Sequence, residues 1–185
     1  MKTIKKKFTT ETINSMRNMI NNTNVSELGC ALCEKNNGDI VIGAIVSGNK
    51  FDLKFDPKTV NCKSNEKMVG LFHTHPKQPS LENLIRTKSS KPNIEDLTNA
   101  YVTGFACIGS QPNKITCLYR KTDNITNEDI IQVEQNINEF RRNVNSYGNM
   151  FNSKKINKEQ FSNMLTDEHK KRTKQLINKF SVFNL

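Results

Sequence analysis

Hydrophobic residues near the start of the chain recur at helical spacing. Ile13, Met16 and Ile20 stand at positions i, i+3 and i+7, behind two threonines, Thr9 and Thr10. Residues at these spacings share one face of a helix, and threonine is a common residue at a helix start. The pattern therefore predicts an amphipathic first helix.

The apolar runs that follow are short and separated by turn residues, which indicates strands. In ELGCALCEKNNGDIVIGAIVSG two runs are joined by KNNGD, a hairpin signal, and a third short run spans residues 51–55. KMVGLFHTHP predicts a strand that Pro76 ends, and the polar residues 77–92 predict a long loop. Residues 94–102 have a helical pattern that Gly104 ends, and FACIG and KITCLYRK predict two further strands around SQPN. The sequence therefore predicts an α/β (α+β) fold, with a mixed β-sheet flanked by helices.

The chain changes character after residue 121. A stripe of apolar residues over 130–147 alternates steps of three and four, and a second helical stretch, less regularly spaced, reaches residue 180. We expect a main domain at 1–121 and a basic, helical C-terminal extension at 122–185. A lone helix cannot leave such a stripe in water, so the helix pair should fold back on the core; the alternative is a homodimer or partner interface through the 130–147 helix. The stripe consists of Ile130, Val133, Ile137, Phe140, Val144 and Tyr147.

Composition narrows the class of protein. At 185 residues with 35% hydrophobic content, the chain can bury one ordinary core. Five cysteines in apolar surroundings and a charged amino terminus predict reduced thiols, a cytoplasmic location, and neither a signal peptide nor a membrane span. Cys30 and Cys33 are interpreted as small core residues, since no second C-x-x-C exists. The net charge of +10 suits an acidic partner, but with no tryptophan and three tyrosines there is little for base stacking, which disfavours nucleic-acid binding.

Two of the three histidines, His73 and His75, flank one threonine at the end of a predicted strand. Residues two apart project from the same face of a strand, so the two imidazoles should lie side by side and chelate a metal. Zinc is favoured, because imidazole suits it and a catalytic site needs three protein ligands. Amidohydrolases, PHP-type phosphoesterases and metallo-β-lactamases need further histidines, whereas only His169 remains here, in a lysine-rich segment. The third ligand should be a carboxylate or a cysteine; the candidates are Asp96, Glu95, Glu82 and Cys107.

The motif residues resemble those of the JAMM (MPN+) metalloprotease family. H-T-H-P, then P-N-x-x-D-L, an alanine and GFACIGS stand in the order of that family, and the similarity covers about residues 26–120. The resemblance implies an MPN/JAB (cytidine-deaminase-like) domain in which His73, His75 and Asp96 bind Zn²⁺. Asn93 stands where the family usually has serine, a residue thought to steady the developing oxyanion. The spacing from His75 to Asp96 is longer than the family's, and an earlier PSLEN has asparagine where aspartate should be.

The same resemblance implies a general base. SELGCAL matches the family pattern E-x-G-G-x-L at Glu27, whereas Glu34 and Glu66 stand in less suitable places. Glu27 would take a proton from a water activated by zinc and hand it to the leaving amine, while Asn93 donates to the oxyanion. The implied activity is that of a zinc isopeptidase or peptidase. Its substrate would be the C-terminal glycine tail of ubiquitin or a ubiquitin-like protein, bordered by the polar loop 77–91.

Two alternatives remain open at the level of sequence. One is a scaffold or interaction subunit that has the same fold and little or no turnover; Glu27 and the metal ligands count against it, whereas Asn93 leaves it open. The other is a nucleic-acid-binding accessory protein. It rests on the net charge and the basic tail, which lacks aromatic residues within its basic clusters.

Overall fold

The structure, a computed structural model, describes residues 7–23, 26–48, 60–75, 92–110 and 112–185. Within these ranges the chain has an α+β fold, in which four helices accompany a mixed six-stranded sheet, as the sequence predicts. The helices are α1 (Thr10–Asn22), α2 (Ile94–Thr103), α3 (Asn127–Asn152) and α4 (Lys158–Ile177). The strands are β1 (Leu28–Glu34), β2 (Ile40–Ser47), β3 (Lys67–Thr74), β4 (Phe105–Ser110), β5 (Lys114–Arg120) and β6 (Phe180–Asn184).

One edge of the sheet brings together distant parts of the chain. The strand order is β2-β1-β3-β4-β5-β6, and every neighbouring pair is antiparallel except β3 and β4, which are parallel. A parallel connection has to cross back over the sheet, and α2 lies on that crossover. Therefore α2 begins at the edge where β3 and β4 end and where the antiparallel β1 starts.

Local sequence signals explain where several elements begin and end. Thr9 caps α1 by accepting a hydrogen bond from Thr12 N, which confirms the predicted first helix. Gly38, with φ of 86°, lies in the turn between β1 and β2 and confirms the predicted hairpin. Gly104, with φ of 89°, ends α2 in the left-handed conformation, and its N–H donates to Ala100 O. These boundaries follow from turn chemistry that a sequence displays directly.

Each face of the sheet carries a hydrophobic core. On one face Met16 and Ile20 of α1 pack with sheet residues such as Phe72. On the other face α2, α3 and α4 pack over β4 and β5, and Val133 of α3 and Leu176 of α4 are buried there. The prediction that the C-terminal helices fold back on the domain is therefore confirmed. An interface with a partner through the 130–147 helix stays a prediction.

The C-terminal end of the chain differs from the prediction. The helical stretch predicted to reach residue 180 ends at Ile177, and β6 follows, antiparallel to β5. Leu176, Ile177 and Phe180 have helical spacing, but Phe180 is buried at the start of a strand that pairs with β5. Residues 122–185 therefore add a strand to the same sheet as the predicted main domain, and not helices alone.

Four of the five cysteines form disulfide bonds, so the prediction of reduced thiols is wrong. Cys33 pairs with Cys62, and Cys107 pairs with Cys117, which lies directly opposite it on β5. Cys30 is free and buried, and burial raises the pKa of its thiol to about 12. Cysteine spacing does not display these pairs: Cys62 lies before β3 and outside the strands, and Cys107 faces Cys117 across a strand pair. The prediction of a cytoplasmic location rested partly on free thiols, and the disulfide bonds remove that support.

Several predictions concern residues outside the described ranges: the short run at 51–55, the strand end at Pro76 and the polar loop at 77–91. The strand that precedes this loop is confirmed as β3. Among the helices of the described residues, none combines the length and the apolar character needed to cross a membrane.

Candidate metal centre

His73 and His75 lie at the carboxyl end of β3. His73 pairs with Gly29 of β1 on one side and Ile108 of β4 on the other. One residue beyond the strand, His75 N donates to Gly109 O at 2.9 Å. The Nε2 atoms of the two imidazoles are 3.2 Å apart, as expected if both rings project to the same side. Neighbouring strands on both sides therefore fix the pair.

Asp96 is brought to the histidines by the first turn of α2. Asn93 caps this helix, and its Oδ1 accepts a hydrogen bond from Asp96 N at 2.9 Å, while Asp96 Oδ2 accepts one from Asn93 N at 2.7 Å. The other carboxylate oxygen, Asp96 Oδ1, lies 2.9 Å from His73 Nε2 and 3.5 Å from His75 Nε2. One oxygen thus holds the helix start, and the other faces the imidazoles.

The surroundings of Asp96 favour its ionised form. Burial alone raises the pKa of a carboxyl group. Here the charge of His75, together with hydrogen bonds to His73 and His75, outweighs that effect and holds the pKa of Asp96 well below its usual range. A fixed anion therefore faces two imidazole nitrogens at this edge of the sheet.

His73, His75 and Asp96 can hold a metal ion, since their donor atoms all lie within 4.8 Å of one another. The three separations are 3.2, 2.9 and 3.5 Å. In a tetrahedral ion with ligand bonds of about 2.0 to 2.1 Å, donor atoms are roughly 3.3 Å apart. The observed separations lie on both sides of that value, and two imidazoles with one carboxylate are donors that zinc accepts. The residues present therefore fit a small divalent cation.

The other candidate ligands are placed differently. Glu95 forms an ion pair with Arg141 at 3.2 Å, and Cys107 is bonded to Cys117. Glu82 lies outside the described residues. Of the candidates that the structure describes, Asp96 is the one that joins the histidines.

Glu27 immediately precedes β1 and is buried, with 7% of its surface exposed. Its carbonyl oxygen accepts a hydrogen bond from Gly48 N at 2.8 Å. Gly29 pairs with His73, so extending the register by two residues places Glu27 opposite His75, on the same side of the sheet. The Glu27 carboxylate is not one of the three converging donors. This position suits a base better than a ligand, and its catalytic role stays a prediction.

Thr74, between the two histidines, connects three elements at this edge, a role that the sequence reasoning missed. It is fully buried, and its hydroxyl accepts a hydrogen bond from Leu28 N at 3.0 Å. It also lies 2.6 Å from the hydroxyl of Thr23, which itself donates to Met19 O. Either hydroxyl can donate in this contact, since Thr74 Oγ1 also lies 3.3 Å from Leu28 O. Alternation in β3 turns Thr74 away from the histidines and toward α1, which is the signal that would have found it.

His169, which the sequence places in a lysine-rich helix, lies in a cleft beside Asn93. Its ring makes an edge contact with Phe140, with ring centroids 6.3 Å apart. Its Nε2 atom is buried and has no hydrogen-bond partner among the described residues. Burial lowers the pKa of His169, and the charge of Asp96 opposes that shift only in part. Its surroundings therefore favour the neutral imidazole, which lies close to the metal centre but outside its donor set.

No model of a known protein family matches the sequence, and a comparison with curated proteins gives no match. The likeness to the JAMM family therefore rests on the motif residues alone. Function has to be argued from the geometry of the site.

Proposed function

We propose that the protein is a zinc-dependent hydrolase of peptide or isopeptide bonds, which acts after the C-terminal glycine tail of a ubiquitin-like protein. The observation that carries the proposal is the convergence of His73, His75 and Asp96 at the sheet edge where Glu27 precedes β1. Three protein ligands leave one position of a tetrahedral ion open, which is typical of catalytic rather than structural zinc sites. The substrate class is supported by the motif resemblance.

The residues of the site have complementary roles in this proposal. When bound, zinc supplies Lewis acidity toward a carbonyl oxygen and lowers the pKa of water. Glu27 takes the proton of the attacking water and passes it to the leaving nitrogen. Asn93 uses its Oδ1 in the helix cap, so its Nδ2 is the group that donates to the developing oxyanion. Because Asn93 and Asp96 are joined by two hydrogen bonds, the donor and the metal ligand are positioned as one unit.

Replacing the base tests the proposal. Glu27→Gln should retain zinc and lower the rate of hydrolysis by about 10² to 10⁴, since a carboxamide cannot take a proton. The assay incubates zinc-loaded protein with a ubiquitin-like fusion that carries a Gly-Gly junction, with and without a chelator. Products are resolved by mass, and bound zinc is measured by elemental analysis. Glu66→Gln is the matched control. Glu66 precedes β3, and its carboxylate accepts a hydrogen bond from Lys63 N, so this change should leave the rate of hydrolysis unaltered.

The outcomes separate the candidate roles. Loss of zinc from the Glu27→Gln protein would show that Glu27 is a ligand and not the base. A zinc-loaded wild-type protein that fails to cleave such fusions would favour the scaffold alternative. Cleavage that continues in chelator would contradict a metal-dependent mechanism altogether.

A further inference from the structure

A cleft of about 790 Å³ lies beside the metal centre, between the first turn of α2 and the facing sides of α3 and α4. It begins at Asn93 and Glu95 and runs along α3 as far as Asn152. Asn93 is joined to Asp96 by reciprocal hydrogen bonds. A molecule in this cleft would therefore lie against the residue that positions a metal ligand.

The lining of the cleft combines amide groups with apolar surface. Along its α3 side, the carboxamides of Asn145, Asn149 and Asn152 each offer a donor and an acceptor. Phe161 and Leu165 of α4 supply an apolar wall. A ligand with backbone amides and an apolar side chain matches both parts of this lining.

Gly148 leaves room for a ligand to approach the backbone of α3. A Cβ atom added at this residue would have no atom within 4 Å apart from its chain neighbours and the backbone of its own helix. Glycine inside a helix is destabilising by roughly 0.5 to 1 kcal/mol relative to alanine. The glycine lines the cleft, so its missing side chain keeps that space open.

The charges of the cleft favour a neutral occupant. Glu95 and Arg141 are paired with each other at 3.2 Å. His169 also lines the cleft, and its Nε2 atom is buried below the surface of that cleft.

We propose that the cleft binds a neutral peptide segment of the substrate, next to the bond that is cleaved, and takes up one apolar side chain. The connection to cleavage rests on the proposed function. Binding itself does not, because it can be observed without turnover.

The test measures binding of small peptide analogues to the full chain by amide and side-chain nuclear magnetic resonance shifts. The probes are N-acetyl-leucine amide and, as the analogue without an apolar side chain, N-acetyl-glycine amide. We expect the leucine probe to bind at least about tenfold more tightly. It should shift the resonances of Gly148, Asn149 and His169, in the presence and absence of zinc.

Three variants locate the binding. Gly148→Leu projects a side chain into the cleft, where it competes with the apolar group of the probe, and should abolish the shifts. Ser146→Leu places the same side chain at an exposed position of α3 that does not line the cleft, so binding should persist. Gly148→Ala should retain binding and raise the melting temperature, which shows that position 148 tolerates a side chain.

Absence of shifts with the leucine probe, or shifts that survive Gly148→Leu, would overturn the proposal, even if the zinc-loaded protein cleaves its fusion substrate. Conversely, binding that Gly148→Leu blocks would support the cleft as a peptide site, even if no cleavage is found. The two proposals thus fail independently.

Discussion

Asp96 and Asp129 allow metal binding to be separated from helix stability. Each is the third residue of its helix, and each carboxylate closes a capping box, in α2 with Asn93 and in α3 with Thr126. Asp96 also faces two histidines, whereas the hydrogen bonds of Asp129 involve Thr126. At either position, replacing Asp with Asn retains a side-chain oxygen for the helix cap and removes the negative charge.

The expected magnitudes differ between the two positions. Loss of a charge at a helix start lowers stability in both variants, and Asp96→Asn also loses the charge that faces His73 and His75. Zinc at 100 times its dissociation constant stabilises the wild type by about 2.7 kcal/mol. For a chain of this size, each kcal/mol of stability shifts the melting temperature by about 2 to 4 °C. Zinc should therefore raise the melting temperature by about 5 to 11 °C.

Removing one of three ligands should nearly abolish that increase. If Asp96→Asn weakens zinc binding a hundredfold, the same zinc concentration equals the new dissociation constant. The stabilisation then falls to about 0.4 kcal/mol, which is about 1 to 2 °C. Asp129→Asn should retain the full increase, starting from a slightly lower melting temperature.

The assay is thermal unfolding followed by circular dichroism, once with chelator and once with zinc, on the wild type and both variants. The quantity compared is the increase that zinc produces within each protein, so the loss of the cap charge cancels. A full zinc response in Asp96→Asn, or the same reduced response in both variants, would refute the ligand assignment.

Two further predictions concern the supports of the site and the cysteines. Thr74→Val should lower the free energy of unfolding by about 1 to 3 kcal/mol, because the Thr23 hydroxyl and Leu28 N lose their hydrogen bonds. Thr74→Ser, which keeps the hydroxyl, should lose less in urea unfolding. No loss of stability in Thr74→Val would contradict the role of the hydroxyl. Protein purified without reductant should show one thiol per chain in denaturant, that of Cys30. In the folded protein this thiol should be alkylated slowly, because burial raises the pKa of Cys30 to about 12. Five thiols in denaturant would contradict the disulfide pairs.

Features set by neighbouring residues could be predicted from the sequence. The first helix and its Thr9 cap, the hairpin at Gly38 and the helix end at Gly104 all depend on contacts within a few residues. The side-by-side histidines follow from the period of a strand. Asn93 and Asp96 form a cap that is recognisable from their spacing alone.

Features set by contacts between distant residues could not be predicted. Phe180 fits a helical period, and only its pairing with Arg120 shows that it begins a strand. The bond between Cys33 and Cys62 joins residues 29 positions apart. His169 is surrounded by lysines in sequence, and its place beside Asn93 arises because α4 packs over α2. In each case, contacts between distant residues decide the conformation or partner, which the local sequence pattern does not determine.

Because β3 and β4 are parallel, the metal centre does not depend on one particular length of the connection between β3 and α2. His73 is held by strands on both sides, and Asp96 by its own cap and by the packing of α2. As a general rule, doubling the length of a connection between two fixed points adds only about 0.6 kcal/mol of closure entropy. An insertion or deletion in the chain between His75 and Asp96 should therefore leave metal binding in place.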